Sequence, residues 1–353
     1  MAQEPASLDL AGPGPAPVSF RTYSDLPRAQ RWFVSVRRFM LHKPLGALGV
    51  ILIILVSAAA LFSSTIANHD PETIFKKVAV NPQCDPELAE KALTDPTVRL
   101  KYPAAVLDCG GAAQPLLHVA PSSEHWLGTD VLGRDLYSRI IYGAQTAMLV
   151  GLGAAFIATA FGIIIGVVSA YFGGTLDFIV QRFVDTLQAF PPLVLLLLFG
   201  QVIADISLRT NIISLGILGI ASTVRIVRSS VLSARQEVYV GAAQTIGASD
   251  ARIMARHIFP NITAPIIVTF TSSIGIYILV EATLAFLGLG DPTRISWGKM
   301  IEEGRRLGPA SPGVAFYVGC ALTLTVLGFN LAGDALRDAL DPRMRGRGGR
   351  AGF

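Results

Sequence analysis

One carboxylate stands alone in an apolar run: Glu281, within Leu279-Val280-Glu281-Ala282-Thr283. An ionisable group in hydrocarbon is expensive unless it is paired or used, so it is the first place to look for a proton relay or ion path. Counted from a helix start near Ile262 at 1.5 Å per residue, it falls about 28 Å along, close to the outer interface. That depth favours a structural pair or a gate contact over a relay. The other chemical residue types are dispersed. His42, His69, His118, His125 and His257 are scattered, and Cys84, Cys109 and Cys320 lack metal-ligand spacing, so no metal site is expected. The pair Gly298-Lys299 runs into Met300 and has no glycine five residues before it, so no phosphate-cradling P-loop forms there. ATP, if used, is hydrolysed by another chain. Neither H-E-x-x-H nor G-x-S-x-G occurs, which leaves hydrolase and metalloenzyme chemistry without support.

The elements that would carry such groups follow from composition. Of 353 residues 52% are apolar and 15% charged, against about 25% charged in soluble proteins. Too little polar side chain remains to cover a water-soluble globule of this size, so the chain belongs in a bilayer. A helix crosses the hydrocarbon core with about 20 apolar residues. Six runs qualify or nearly do: Leu45 to Ala67, Thr146 to Tyr171, Phe190 to Ile206, Ile212 to Val227, Ile262 to Leu289 and Val314 to Ala332. The third and fourth are short, and Pro191 and Pro192 interrupt the third with no matching break elsewhere, unlike the paired broken helices of many secondary transporters.

Charge orients the spans. Arg28, Arg31, Arg37, Arg38 and Lys43 precede the first, which places the N-terminus in the cytoplasm. Six crossings put Arg225 to Pro260 and the C-terminal tail on the same side, and both are basic. The net charge of +4 therefore serves membrane orientation and not nucleic-acid binding. Arg294, Lys299, Arg305 and Arg306 form an outer loop that disagrees, partly balanced by Glu302 and Glu303. The loop Asn68 to Gly143 is then extracytoplasmic. In an oxidising compartment its Cys84 and Cys109 can bridge, which is worth about 3.5 kcal/mol in the chain-entropy model; the other reading is two unpaired thiols. Cys320 reads as a small packing residue in the last span.

Two segments promise contacts. Ala154, Ala158, Gly162, Gly166 and Ala170 recur every fourth residue, a smooth stripe against which a helix of this chain or of a sister subunit can pack closely. Between the fourth and fifth spans, Tyr239 to Gly247 reads as a short helix ended by Gly247, and Ser249 as the N-cap of a second, which Pro260 separates from the fifth span. Tyr239, Val240, Ala243 and Ile246 would form an apolar knob for a partner's groove; an interfacial hairpin lying on lipid is the alternative. Before the second span, Arg134, Asp135, Ser138, Arg139 and Tyr142 recur at helical spacing, as the polar edge of an interfacial helix over Leu127 to Gly143 with Leu136, Ile140 and Ile141 turned away. Its role is either an anchor or the reception of a partner.

These segments carry a resemblance. Gly241, Ala242, Ala243, Gly247, Ile258 and Pro260 resemble the coupling loop of ABC importer permeases, which docks on the ATPase subunit, with Gly241 standing where that family usually has Glu. The run His125 to Gly143, with Gly128, Thr129, Asp130, Gly133, Arg134, Asp135, Ser138 and Arg139, resembles the signature of the C-type permease of dipeptide, oligopeptide and nickel importers. Tyr171 to Asp177, Phe286 to Gly290, Ser296-Trp297-Gly298 and Asp338 to Arg343 fit the same family, over about Phe39 to Arg343.

The resemblance implies an all-α membrane protein with six transmembrane helices, both termini cytoplasmic and an extended loop between helices 1 and 2. The expected division is a tail at 1–44, helix 1 at 45–67, the loop with its interfacial helix at 68–143, and a transmembrane domain at 144–335 with its coupling hairpin at 228–260. A cytoplasmic tail follows at 336–353. It implies a bacterial plasma-membrane permease that pairs with a B-type permease, two ATPase subunits holding ATP and Mg, and an extracytoplasmic binding protein. The hairpin residues would be Gly241, Ala242, Ala243, Ile246, Gly247, Ser249, Asp250, Ile258 and Pro260. Peptide is the expected cargo, nickel or another small solute the alternative. A self-sufficient ion- or proton-coupled carrier would need a polar path, toward which only Glu281 points.

Overall fold

The computed structural model describes residues 43–78, 87–88, 113–117, 119–202, 206–306 and 312–340. Cys84 and Cys109, and with them the expected bridge, lie outside the described residues, as do most of the N-terminal tail and all of 341–353. Contacts divide the chain into Met1–Pro44 and Leu45–Phe353. Lys43 and Pro44 are the only described residues of the first unit, so the architecture is that of the second.

Besides the single helical turn Ser63–Ile66, the described elements up to the hairpin are α1 (Pro44–Leu61), β1 (Lys76–Val78), β2 (Ala113–Pro115), α2 (Leu136–Phe172), α3 (Gly174–Ala189), α4 (Pro192–Val202), α5 (Leu208–Arg235) and α6 (Val238–Thr245). A continuous helix, α7 (Asp250–Phe286), follows, then α8 (Trp297–Arg306) and α9 (Pro312–Leu340). Five of these, α1, α2, α5, α7 and α9, are long and apolar enough to cross a membrane. The expected third span is not one helix. Phe190, held extended ahead of Pro191, breaks the chain, and α3 and α4 meet at 88°. With 11 residues, α4 is about 16 Å long, half the hydrocarbon core. A sixth crossing exists only if the bent pair counts as one. The short strands β1 and β2 pair antiparallel, Lys76 opposite Pro115, so the expected all-α chain also carries a small ribbon.

Small residues set the packing. The stripe Ala154, Ala158, Gly162, Gly166 and Ala170 is buried, and its partner is α5 of the same chain. A Cβ at Gly162 would stand 2.5 Å from the Thr223 Cβ, and one at Gly166 2.9 Å from that of Val227. The approach is mutual, since a Cβ at Gly216 of α5 would stand 2.7 Å from Ile157. In lipid such closeness supplies the dispersion contacts that hold helices together. α1 lies as tightly on α9, where a Cβ at Gly49 would meet the Gly328 carbonyl at 2.8 Å. Cys320 is exposed on α9 rather than packed.

Pro260 does not separate the expected second helix of the hairpin from the fifth span. Met254–Ile258 form a π turn, and the Phe259 N–H reaches back five residues to the Met254 carbonyl. The wider turn absorbs the shifted bonding pattern ahead of the ring that lacks an N–H, and the helix continues through it.

Candidate functional site

At one end of the bundle the signature residues fold into a buried node. Its backbone is a set of turns closed by a Thr129–Asp135 bridge; helix begins only at Leu136, continuous with α2. The expected separate interfacial helix with an exposed polar edge is therefore corrected. Gly128 and Gly133 adopt φ of +79° and +80°, and at Gly128 a Cβ would also stand 2.2 Å from the Val119 carbonyl oxygen. Thr129 accepts from the Val119 N–H at 2.9 Å and donates to the Leu116 carbonyl.

Asp130, 2% exposed, holds the node together. One carboxylate oxygen accepts the N–H groups of Leu132 and Arg134, both at 2.9 Å. The other accepts Arg134 Nε at 2.8 Å and Arg139 Nη1. Glu303 of α8 closes the set, accepting Arg134 Nη2 at 2.9 Å and Arg139 Nη1 at 3.3 Å. Two guanidinium and two carboxylate groups thus neutralise one another where desolvation makes an unpaired charge costly. Burial is the chief influence on Glu303 and holds its carboxyl above the usual range, although Arg134 pulls it down. Asp135 caps α2 by accepting the Ser138 N–H at 2.8 Å, and His125 Nδ1 faces its second oxygen at 2.9 Å. Ser138 Oγ accepts the His69 N–H at 3.1 Å. The polar edge expected at the surface faces inward because its partners arrive from α8 and from the segment after α1. Glu303 and His69 were not recognisable as partners in the sequence; the only hint was an acidic pair within a basic loop.

Glu281 joins this end. It is 3% exposed and accepts from Ser296 Oγ at 2.9 Å, while Ser296 Oγ accepts the Gly298 N–H at 3.2 Å. A Cβ at Gly298 would stand 1.9 Å from the Ala282 carbonyl oxygen, and Trp297 donates from Nε1 to the Ile140 carbonyl at 3.0 Å. Glu281 thus ties the start of α8 to α7 through Ser296, while Trp297 ties it to α2.

At the other end, α6 and the start of α7 form the hairpin. Gly247, at φ +76°, makes the turn. Ser249 occupies the N-cap with extended backbone but makes no side-chain capping bond. Val240 and Ala243 are buried at 1% and 4% against a cluster that includes Ile253, Ile258 and Ile262. They are therefore not part of an exposed knob, because the inner partner of α6 is the first turn of α7. The outward face is Val238, Ala242 and Ile246, one helical turn apart, with Val238 87% and Ile246 84% exposed. A side chain at Gly241 would meet open space, and Pro260 is exposed. Asp250 accepts the Tyr171 hydroxyl at 2.6 Å, tying the hairpin to the end of α2. Nearby, Arg228 grips Asp177 with two nitrogens, at 2.8 and 2.6 Å.

Between the two ends, α3, α4, α5 and α7 border an open cavity of about 660 Å³ lined by Gln188, Leu196, Ser222, Thr269, Ser272 and Ser273 among others. Three of its hydroxyls are turned to their own helices: Ser222 donates to Gly219, Thr269 to Pro265 and Ser273 to Phe270. The wall is largely apolar, dotted with oxygen acceptors.

Residues 141–346 match the family described as binding-protein-dependent transport system inner membrane component. A putative peptide transport system permease protein of Brucella abortus is 35% identical over 316 residues, 89% of this chain and 93% of the relative. The dipeptide transport system permease protein DppC of Alkalihalophilus pseudofirmus is 41% identical over 226 residues, 64% of this chain and 74% of its own. The glutathione transport system permease protein GsiD of Escherichia coli is 41% identical over 231 residues, 65% and 76%. With this match over more than half its length, a relative aligned almost end to end, and helices suited to several crossings, the chain belongs to the family of inner-membrane components of binding-protein-dependent transport systems and is a multi-pass permease of the cell membrane.

Proposed function

We propose that this chain is the C-type permease subunit of a peptide importer and converts movement at its hairpin into movement of a translocation wall. The observation that carries the reading is a continuity: α5 and α7 flank the hairpin and also wall the cavity, so displacement of the hairpin is displacement of the wall. In this reading α3 and α4 together make the third of six crossings, and the basic hairpin end and both termini lie in the cytoplasm. The signature node then faces the outside.

A B-type permease completes the path. Two ATPase subunits dock beneath, one of them on the face formed by Val238, Ala242 and Ile246. ATP and Mg belong to those partners, since this chain offers no P-loop. An extracytoplasmic binding protein delivers the solute, and the names of the dipeptide, peptide and glutathione relatives support peptide as the cargo.

The test is Ile246→Asp in the reconstituted complex. Burying an isoleucine stabilises docking by about 1.5–3 kcal/mol, and an unpaired carboxylate in its place adds a penalty. The permease pair is expected to assemble while binding-protein-stimulated ATP turnover and dipeptide uptake fall by a factor on the order of a hundred. Unchanged uptake would refute the docking face; normal coupling with no peptide-dependent stimulation would point to another solute.

A further inference from the structure

The segment after α1 brings His69 to His125 and Asp135, and one ligand atom from each lies within 4.8 Å of the other two. We propose that these three residues bind a late first-row transition-metal ion of the zinc class, which staples the segment after α1 to the entrance of α2. The donor set is two imidazoles and a carboxylate, the set such ions prefer over calcium or magnesium. Two of the three ligands are already in place. His125 and Asp135 are 4% and 1% exposed, and His125 Nδ1 stands 2.9 Å from Asp135 Oδ1. Around tetrahedral zinc, with bonds of about 2.0–2.1 Å, ligand atoms lie about 3.3 Å apart, so that pair needs little change.

His69 is the half-buried member, and the cluster's widest separation of 4.8 Å exceeds the tetrahedral spacing by about 1.5 Å, which its ring would close. Its surroundings resemble a ligand's second shell. His69 Nε2 lies 3.0 Å from the Glu124 carbonyl, to which it donates, and this leaves Nδ1 with its lone pair. Asp135 is held from behind by the Ser138 N–H at 2.8 Å. The Phe75 ring packs edge-on against both imidazoles, with centroids 4.8 Å from His69 and 4.7 Å from His125, and so walls the cluster with apolar surface. Binding through His125 Nδ1 needs only the neutral tautomer that carries its proton on Nε2, and the partial exposure of His69 provides the entry.

The experiment uses the intact transport complex in detergent, stripped with EDTA, desalted and titrated with zinc against a competing fluorescent chelator. Wild type is expected to hold one zinc that His69→Gln binds at least about tenfold more weakly, and zinc is expected to raise the melting temperature of wild type only. Equal binding by the two proteins places the zinc elsewhere in the complex and overturns the proposal, as does an absence of stoichiometric binding by wild type. Should His69→Gln fail to assemble, X-ray absorption on the zinc-loaded wild type decides. A shell of imidazole nitrogen and oxygen supports the site, and sulfur ligands or a shell without imidazole overturn it.

Discussion

Asp130→Asn changes one atom of a carboxylate that is 2% exposed and accepts four hydrogen bonds. The two backbone bonds to Leu132 and Arg134 survive, because the amide keeps a carbonyl oxygen. What goes is the counter-charge to Arg139, which is 3% exposed and whose Nε already lacks a hydrogen-bond partner. Glu303, at 3.3 Å, is left to balance two guanidinium groups. Breaking a buried pair from one side costs about 3–5 kcal/mol. At roughly 2 °C per kcal/mol for a chain of this size, the melting temperature should fall by about 6–10 °C. The assay is thermal unfolding of the detergent-solubilised permease, with Arg139→Met and the double variant alongside. Removing both charges should recover much of the loss, which gives a coupling energy of several kcal/mol. If Asp130→Asn melts within a degree of wild type while uptake fails, the signature acts by receiving a partner and the structural reading is wrong.

Other perturbations separate buried from offered surface. Ala243→Asp should disorder the hairpin, seen as accelerated proteolysis between Arg235 and Arg256, whereas Ile246→Asp should leave its protection unchanged; equal sensitivity would refute the facing of α6. Gly241→Glu introduces the residue that the coupling-loop resemblance leads one to expect, at a position with open space, so stability should stay within about 0.5 kcal/mol while ATPase retention in detergent holds or improves. Gly162→Val places bulk where a Cβ alone would stand 2.5 Å from Thr223 and should destabilise the α2–α5 pair by about 1–3 kcal/mol, read as a lowered melting temperature. Burial holds the Glu303 carboxyl above the usual range, so the folded chain takes up this proton more readily than the unfolded one, and acidification through that range should favour the seating of α8. Amide protection of Trp297–Arg306, corrected for intrinsic exchange rates, should rise as pH falls through that range, and less so in Glu303→Gln; a loss of protection in wild type would refute the sign.

What the sequence made legible was whatever depends on local pattern. Apolar length revealed the long spans, four-residue spacing revealed the stripe on α2, and Gly247 marked the turn of the hairpin. Where local pattern misled, the deciding contact or backbone shift lay outside it. Arg134 and Arg139 look like an exposed helical edge until Glu303, 169 and 164 residues away, turns them inward. Val240 and Ala243 were recognisable as apolar, but which face of α6 is covered depends on Ile253 and Ile258 across the turn. Pro260 reads locally as a break and is accommodated by a π turn that only the intact helix reveals. The histidines are scattered along the chain, and the return of the segment after α1 brings His69 to His125, with ring centroids 5.2 Å apart.

The hairpin-to-wall reading stands or falls on the company the chain keeps. Extraction from its native membrane in mild detergent, with co-purifying proteins identified and vanadate-sensitive ATP turnover assayed, should recover a second permease and P-loop ATPase subunits, with turnover raised by the binding protein and a dipeptide. Recovery of this chain alone, transporting solute after reconstitution without ATP, would contradict it.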